Sequence, residues 1–335
     1  MARLAEQVAG ERQARMMLSM IAEPDDPATG HILHRAGGVE TLRLLEDDQA
    51  AVPEMNRTDA IAWRNRVTPR IGDYLTARLA EAERAGMSTL IPTDAHWPHA
   101  LNDLGPRAPY LLWTRGATSF LSGALGDRVT ITGSRAATDY GVQVAAQLAG
   151  DLAREERTIV AGGAYGIDAA AHRAALATGG STIAILAGGV DRPYPRGNAG
   201  LLDRIGDVGL LASEMPPGVA PTRYRFMARA RLLGTLSGAT VIPEASFRSG
   251  SLLVPTEAHR HSRAVGALPG PVTSAASSGP HELIKRGRAE IITGTTDVTA
   301  LLDSLHDPGR LLDRQTPSRQ FDTPTAGTPP AGPRL

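Results

Sequence analysis

Residues 128–186 read RVTITGSRAATDYGVQVAAQLAGDLAREERTIVAGGAYGIDAAAHRAALATGGSTIAIL. Three short β-branched and apolar runs, at 128–132, 158–161 and 182–186, alternate with helical patterns at 142–155 and 167–178. Strands separated by helices of roughly 10–15 residues imply right-handed crossovers and parallel pairing. The strand runs carry almost no polar residues, as expected of strands buried on both faces. The same texture continues outward. A short helix is predicted over 197–205, with further strands over 209–213, 240–243, 264–268 and 290–293 and helices between most of them. Upstream, PYLLWTRG at 109–116 reads as a strand running into a turn. The fold class is therefore α/β, an extended Rossmann-like, doubly wound and mostly parallel sheet with a small N-terminal helical region.

Three segments are expected: a helical accessory region over 1–90, the sheet domain over 91–305, and a Pro-, Thr- and Gly-rich disordered tail over 306–335. Within the first, residues 14–22 and 71–85 have apolar residues near helical spacing, with Gly86 as a stop, and EPDDPATG between them reads as a turn.

Composition narrows the function. Lys+Arg and Asp+Glu both total 35, which excludes a bulk-basic or bulk-acidic chain but leaves local patches open. The only lysine is Lys285; the other basic side chains are arginines. The absence of cysteine removes disulfides, thiolate metal sites, iron–sulfur clusters and a cysteine nucleophile together. No apolar run approaches the roughly 20 residues of a membrane helix, and the N-terminus is too charged for a signal peptide, so a soluble, cytoplasmic chain without membrane contact is expected. No GxxxxGK[ST], no H-E-x-x-H and no carboxylate cluster at metal-ligand spacing occurs, so neither a Walker-type ATPase nor a two-metal nuclease is expected, nor a metal or other cofactor.

In a doubly wound sheet, ligands gather outside the C-terminal strand ends. The first strand empties into Gly133-Ser134-Arg135, where amides, a hydroxyl and a guanidinium fork suit a phosphate. The second empties into Gly162-Gly163-Ala164-Tyr165-Gly166, another anion-suited loop at the same edge. Asp168 and His172 share a helix face; they read either as an acid–base pair or, more simply, as a cap and a packed ring beneath the loop. Between 223 and 263 there are seven arginines and two acids, Glu244 and Glu257. The densest part, RYRFMARAR, interleaves Tyr224 and Phe226 with Arg225, Arg229 and Arg231. Cations for phosphates beside flat faces for bases are what unstacked single-stranded nucleic acid requires. Arg248, Ser249, Gly250 and Ser251 open a further helix and read as caps or as a third anion site. Lys285, Arg286 and Arg288 end a later helix, where the dipole alone accounts for them.

In order, ITGSRAATDYG, AGGAYGIDAAAHRAAL, GGVDRPYPRGNAGL, LLASEMPPG, RARLLGTLSGATVIPEASFRSGSL and ALPGPV resemble the DprA/Smf DNA-processing family over about 120–300. TDAHWPHALNDLGPRAPYLLWTRG resembles its lead-in. The resemblance implies a homodimer that binds single-stranded DNA in a basic pocket, helps load a RecA-type recombinase during natural transformation, and catalyses nothing. It assigns Arg135 to a phosphate, Gly162 and Gly163 to backbone contacts, Arg229 and Arg231 to an arginine–asparagine–arginine run, and Arg248, Ser249 and Ser251 to its RSGS loop. This chain departs from the pattern at Tyr165, where the family has arginine, at Met227, Ala228 and Ala230 in the arginine run, and at Gly279-Pro280-His281. The family's C-terminal winged helix is not expected here. The rival reading is a small-nucleotide enzyme or sensor on a related scaffold, resembling the cytokinin-activating phosphoribohydrolases, with Glu257 in place of their catalytic glutamate. A third is an interaction protein that kept the fold but lost DNA affinity.

Overall fold

The computed structural model describes residues 4–72, 74–84 and 87–306. Gly86 and the tail from residue 307 lie outside them. The strands are β1 (Ser88–Leu90), β2 (Leu112–Gly116), β3 (Arg128–Ile131), β4 (Thr158–Ala161), β5 (Thr182–Leu186), β6 (Leu210–Ser213), β7 (Ala239–Ile242), β8 (Ala264–Ala267) and β9 (Glu290–Ile291). The helices are α1 (Glu11–Ile21), α2 (Pro27–Glu46), α3 (Arg57–Val67), α4 (Tyr74–Arg84), α5 (Asp139–Arg154), α6 (Ile167–Ala177), α7 (Ala199–Val208), α8 (Arg223–Thr235), α9 (Leu253–Arg260), α10 (Ser278–Lys285) and α11 (Thr295–Asp303).

The strands form one sheet in the order β1-β2-β6-β5-β4-β3-β7-β8-β9. From β6 to β9 every pair is parallel, while β1 and β2 add antiparallel at one edge. Strands β3 to β6 wind outward in one direction; the chain then crosses back to lay β7 beside β3, so the switch point falls between β3 and β7.

Alternate strand residues feed opposite layers. Val129, Ile131, Ile159 and Val241 face a core with α5, α6 and α11, built from Ala145, Leu148, Ile167, Ala171 and Leu301. Val160, Ile183, Ile185 and Leu210 face the other side, where α8 supplies Leu232 and Leu233 and its C-cap Leu236. Some polar strand residues are satisfied, the Thr130 hydroxyl donating to the Leu233 carbonyl at 2.8 Å, whereas the buried hydroxyls of Thr114 and Thr240 have no hydrogen-bond partner among the described residues.

The N-terminal helices pack into one cluster with Trp113, Leu186, Leu202 and Leu211 at the β2–β6–β5 end. Helices α2 and α3 were not predicted. Within EPDDPATG, Pro24 and Asp25 form the expected turn, and Pro27–Gly30 already belong to α2: the Asp26 carboxylate accepts the Thr29 amide at 2.9 Å, and Pro27 occupies the first helical position. The strand predicted over 290–293 is shorter, β9 ending at Ile291, and the helix predicted over 197–205 is α7, starting two residues and ending three residues later.

Candidate functional site

The loops leaving β3, β4 and β7 meet at the carboxyl edge of the sheet, and their own backbone laces them together. The Ser134 amide donates to the Glu244 carbonyl at 2.7 Å, and the Ile167 amide to the Ser134 carbonyl at 3.1 Å. The buried Glu244 carboxylate accepts the Thr138 amide at 2.8 Å and its hydroxyl at 2.6 Å, at the N-terminus of α5. This closeness explains two glycines. A Cβ on Gly133 would stand 2.3 Å from the Glu244 carbonyl oxygen, and one on Gly166, where φ is +70°, 2.2 Å from that of Ser134.

Asp168 is the hub of the second loop. Its carboxylate accepts the Thr132 hydroxyl at 2.7 Å and the amides of Gly162 and Ala164 at 3.0 and 3.2 Å. It therefore holds the preceding loop rather than capping the helix, whose N-cap is Gly166. His172 is fully buried with Nδ1 2.7 Å from the Thr182 hydroxyl, and burial pushes its pKa down to about 3. A neutral ring shut away from solvent does not act on a ligand, so the acid–base reading is set aside.

On the α8 side, the Thr222 hydroxyl accepts the Arg225 amide at 3.3 Å, a cap worth about 1 kcal/mol that fixes the first turn. That turn aims Phe226 at the loops. The guanidinium carbons of Arg135 and Arg229 lie 4.6 and 5.1 Å from the Phe226 ring centroid, and the Tyr194 ring lies 6.0 Å away, tilted by 58°. Arg229 also donates to the carbonyls of Gly162 at 2.7 Å and Ile185 at 3.0 Å. Burial pushes its pKa down to about 10, against the pull of Asp168, which leaves it cationic at neutral pH. Two cations and two aromatic rings thus share one patch, and Arg135 and Tyr194 are exposed.

The other predicted residues are distributed unevenly. Tyr165 is exposed beside this edge, its hydroxyl accepting the Gly197 amide at 3.1 Å. Gly162 and Gly163 are buried: Gly162 gives its amide to Asp168 and its carbonyl to Arg229, and the Gly163 carbonyl is taken by Asn198. Like the Ser134 amide, these groups hold loops together and are not open to a phosphate. Arg248 and Gly250 are exposed on the loop after β7; Ser249 bonds Ser251, its hydroxyl 2.8 Å from the Ser251 hydroxyl.

Two arginines sit otherwise than the sequence reading has them. Arg231 is 0% exposed and forms a bidentate pair with Glu214 at 2.7 and 2.5 Å, with Nε donating to the Arg107 carbonyl. Arg225 is paired bidentately with Glu23 at 2.9 Å through both nitrogens. Tyr224 is likewise tethered, its hydroxyl donating to the Pro24 carbonyl at 2.8 Å. Glu257, the residue on which an enzymatic reading leans, accepts from Arg107 at 2.9 Å and Arg260 at 2.6 Å; burial alone would raise its pKa, but the two guanidiniums hold it below the usual range. Tyr194 was missed, although it lies within the quoted run GGVDRPYPRGNAGL, where an aromatic between two prolines is a visible signal.

Fold and patch together define an extended Rossmann-like α/β protein whose carboxyl edge gathers arginines around an aromatic platform. Residues 88–303 match the model of the DNA recombination-mediator protein A family, and the chain belongs to that family. It is 38% identical over 313 residues to the putative DNA processing protein DprA of Mycobacterium tuberculosis, covering 88% of this chain and 78% of that one. It is 39% identical over 193 residues to DprA of Streptococcus pneumoniae, covering 58% and 67%. The X-ray structure of the Streptococcus pneumoniae protein superposes with a TM-score of 0.69 at 28% identity, over 88% of this chain and 98% of that one. The Helicobacter pylori DNA processing protein A, described for its single-stranded DNA binding mode, superposes with a TM-score of 0.58 at 32% identity, over 65% and 96%. Among the described residues no helix is long and apolar enough to cross a membrane.

Proposed function

We propose that this protein binds single-stranded DNA across the carboxyl edge of the sheet and helps load a RecA-type recombinase onto it, as a homodimer and without catalysing a reaction. The observation that carries the reading is the Arg135–Phe226–Arg229 stack with Tyr194 against it. Arg135 rests exposed on the ring with its donors available to phosphates, Arg229 adds its charge beside it while Nη1 holds the Gly162 and Ile185 carbonyls, and the guanidinium planes and neighbouring tyrosine offer faces to unstacked bases. The Helicobacter pylori relative, named for its single-stranded DNA binding, supports the same ligand here. In this reading Arg135, Arg229 and Arg248 meet phosphates, and Tyr165, Tyr194 and Phe226 meet bases. Arg225 and Arg231 are outside the contact set. The helical region before β1 is an accessory region, and the sheet domain, which takes in β1 (Ser88–Leu90) and so begins slightly before 91, is the binding domain.

The test is a joint Arg229→Ala and Phe226→Ala variant. Loss of single-strand binding with the fold intact, and with it loss of recombinase assembly on coated single strands, is expected. Unchanged binding would move the site elsewhere.

A further inference from the structure

The N-terminal region reaches the candidate DNA edge beside α8. The segment between α1 and α2 holds Glu23, Asp25 and Asp26, and it lies against the first turns of α8. Its position is fixed by contacts other than Arg225. The Tyr110 hydroxyl donates to the Glu23 carbonyl at 2.9 Å, the Tyr224 hydroxyl to the Pro24 carbonyl at 2.8 Å, and Arg107 to both Asp25 oxygens at 2.9 Å. From that anchored segment the Glu23 carboxylate fills the fork of Arg225: Nε and Nη2 each donate to one of its oxygens at 2.9 Å, and Nη1 donates to the Ala220 carbonyl at 2.8 Å. All three guanidinium nitrogens are therefore engaged.

Its neighbours on the same edge are arranged differently. Arg135 rests on the Phe226 ring, and Arg229 on that ring and two carbonyls; neither forms an ion pair among the described residues. The planar fork that takes a carboxylate bidentately also takes a phosphate. Glu23 thus occupies at Arg225 the place that a phosphodiester would take. Arg70 is also on Glu23, at 3.1 Å, so the carboxylate is held by two cations at once.

We propose that Glu23 is an internal counter-ion that withdraws Arg225 from the nucleic-acid surface, so that the N-terminal helices set how many cations α8 offers to a single strand. The inference rests on the single-stranded DNA reading. An incoming strand meets Arg135 and Arg229, while Arg225 beside them stays neutralised by a residue some 200 positions earlier in the chain.

The experiment measures anisotropy of a labelled oligothymidylate on the full chain at several salt concentrations, for the parent, Glu23→Gln, Arg225→Gln and the double variant. Glutamine keeps the length of the side chain and can still accept one hydrogen bond, and circular dichroism checks that each variant is folded. Glu23→Gln is expected to steepen the salt slope by about 0.7, the increment for one phosphate on a single strand, which makes its gain in affinity roughly fivefold larger at 0.1 M than at 1 M salt. Arg225→Gln should remove that gain in the Glu23→Gln background and cost several-fold less in the parent. Glu40→Gln, an exposed acid paired with Arg43, adds the same charge elsewhere and should leave the slope unchanged. A gain that survives in the double variant, or that Glu40→Gln reproduces, overturns the assignment. So does an Arg225→Gln loss of equal size in both backgrounds, because Arg225 would then already touch DNA. A parent that fails to bind the oligonucleotide at low salt removes the DNA reading and this inference together, whereas a parent that binds with flat coupling removes the inference alone.

Discussion

Arg231→Ala separates a structural arginine from a DNA contact. The parent side chain is 0% exposed and gives Nη1 and Nη2 to Glu214 at 2.7 and 2.5 Å, Nε to the Arg107 carbonyl at 2.7 Å, and Nη1 again to the Ala228 carbonyl at 2.8 Å. Truncation strands Glu214, itself 8% exposed, without its counter-ion. Removing one member of a buried pair costs about 3–5 kcal/mol, a large share of the ~5–15 kcal/mol by which a protein is stable. Urea unfolding followed by tryptophan fluorescence reads this directly, because Trp63, Trp97 and Trp113 are all buried. The folded fraction should bind single-stranded DNA with the parent salt slope. Replacing both partners, as Arg231→Met with Glu214→Leu, should recover most of the loss, since no buried charge is then left alone. Asp25 keeps its bidentate partner Arg107 in either case. A variant that unfolds at the parent midpoint while its salt slope drops by one phosphate's worth would return Arg231 to the DNA surface.

The remaining predictions concern the carboxyl edge and its support. Arg135→Ala should lower the single-strand salt slope by about 0.7 while costing no more than about 1 kcal/mol of stability, the worth of an exposed cation–π contact; calorimetry and anisotropy check the two halves. Gly162→Ala places a Cβ 2.6 Å from Arg229 Nη2 and 2.8 Å from the Asp168 carboxylate. It should displace Arg229, with a similar loss of slope and a stability cost of about 1–3 kcal/mol from overpacking. His172 titrates at about 3 when folded and near 6.5 when unfolded, so its neutral form stabilises the fold fully above pH 6.5. That contribution should fall by about 1.4 kcal/mol for each pH unit from 6.5 toward 3, because the unfolded chain binds the extra proton. Urea midpoints across that range, compared with His172→Gln, should show a flatter acid limb in the variant.

The sheet was legible because strands buried on both faces leave unbroken apolar runs, and glycine-opened loops separate them from the helices. The pairing order was not: that β7 lies beside β3, and that β2 runs antiparallel against β6, are tertiary choices that leave no local mark. Helix α3 was hidden for a different reason. Its sequence RTDAIAWRNRV is mostly polar, and only Ala60, Trp63, Arg64 and Val67 are buried. Arg64 is buried because its guanidinium donates to the Leu44 and Ala50 carbonyls, a partnership that sequence does not display. The start of α2 did carry a signal, aspartate followed by proline, which reads equally well as a turn.

The arginines of α8 divide along the same line. Arg135, Arg229 and Phe226 were all singled out in the sequence, and the structure brings them together. Helical phase already separates Arg229 from Arg231, since two residues are about 200° apart around the axis and cannot share a face. Arg225 and Arg229, four apart, do share one, and only the position of Glu23 distinguishes them. A local count of arginines gives an excess of charge but not which charges are already answered from elsewhere in the chain.

Single-strand binding at the carboxyl edge is best tested on the unmodified protein. Binding of a labelled single-stranded oligonucleotide is measured by anisotropy across a salt series, with duplex of the same sequence as competitor. Preference for the single strand is expected, with a linear log–log salt dependence of slope about −2, from Arg135, Arg229 and Arg248 at about 0.7 each. No binding at low salt, or equal competition by the duplex, would contradict it.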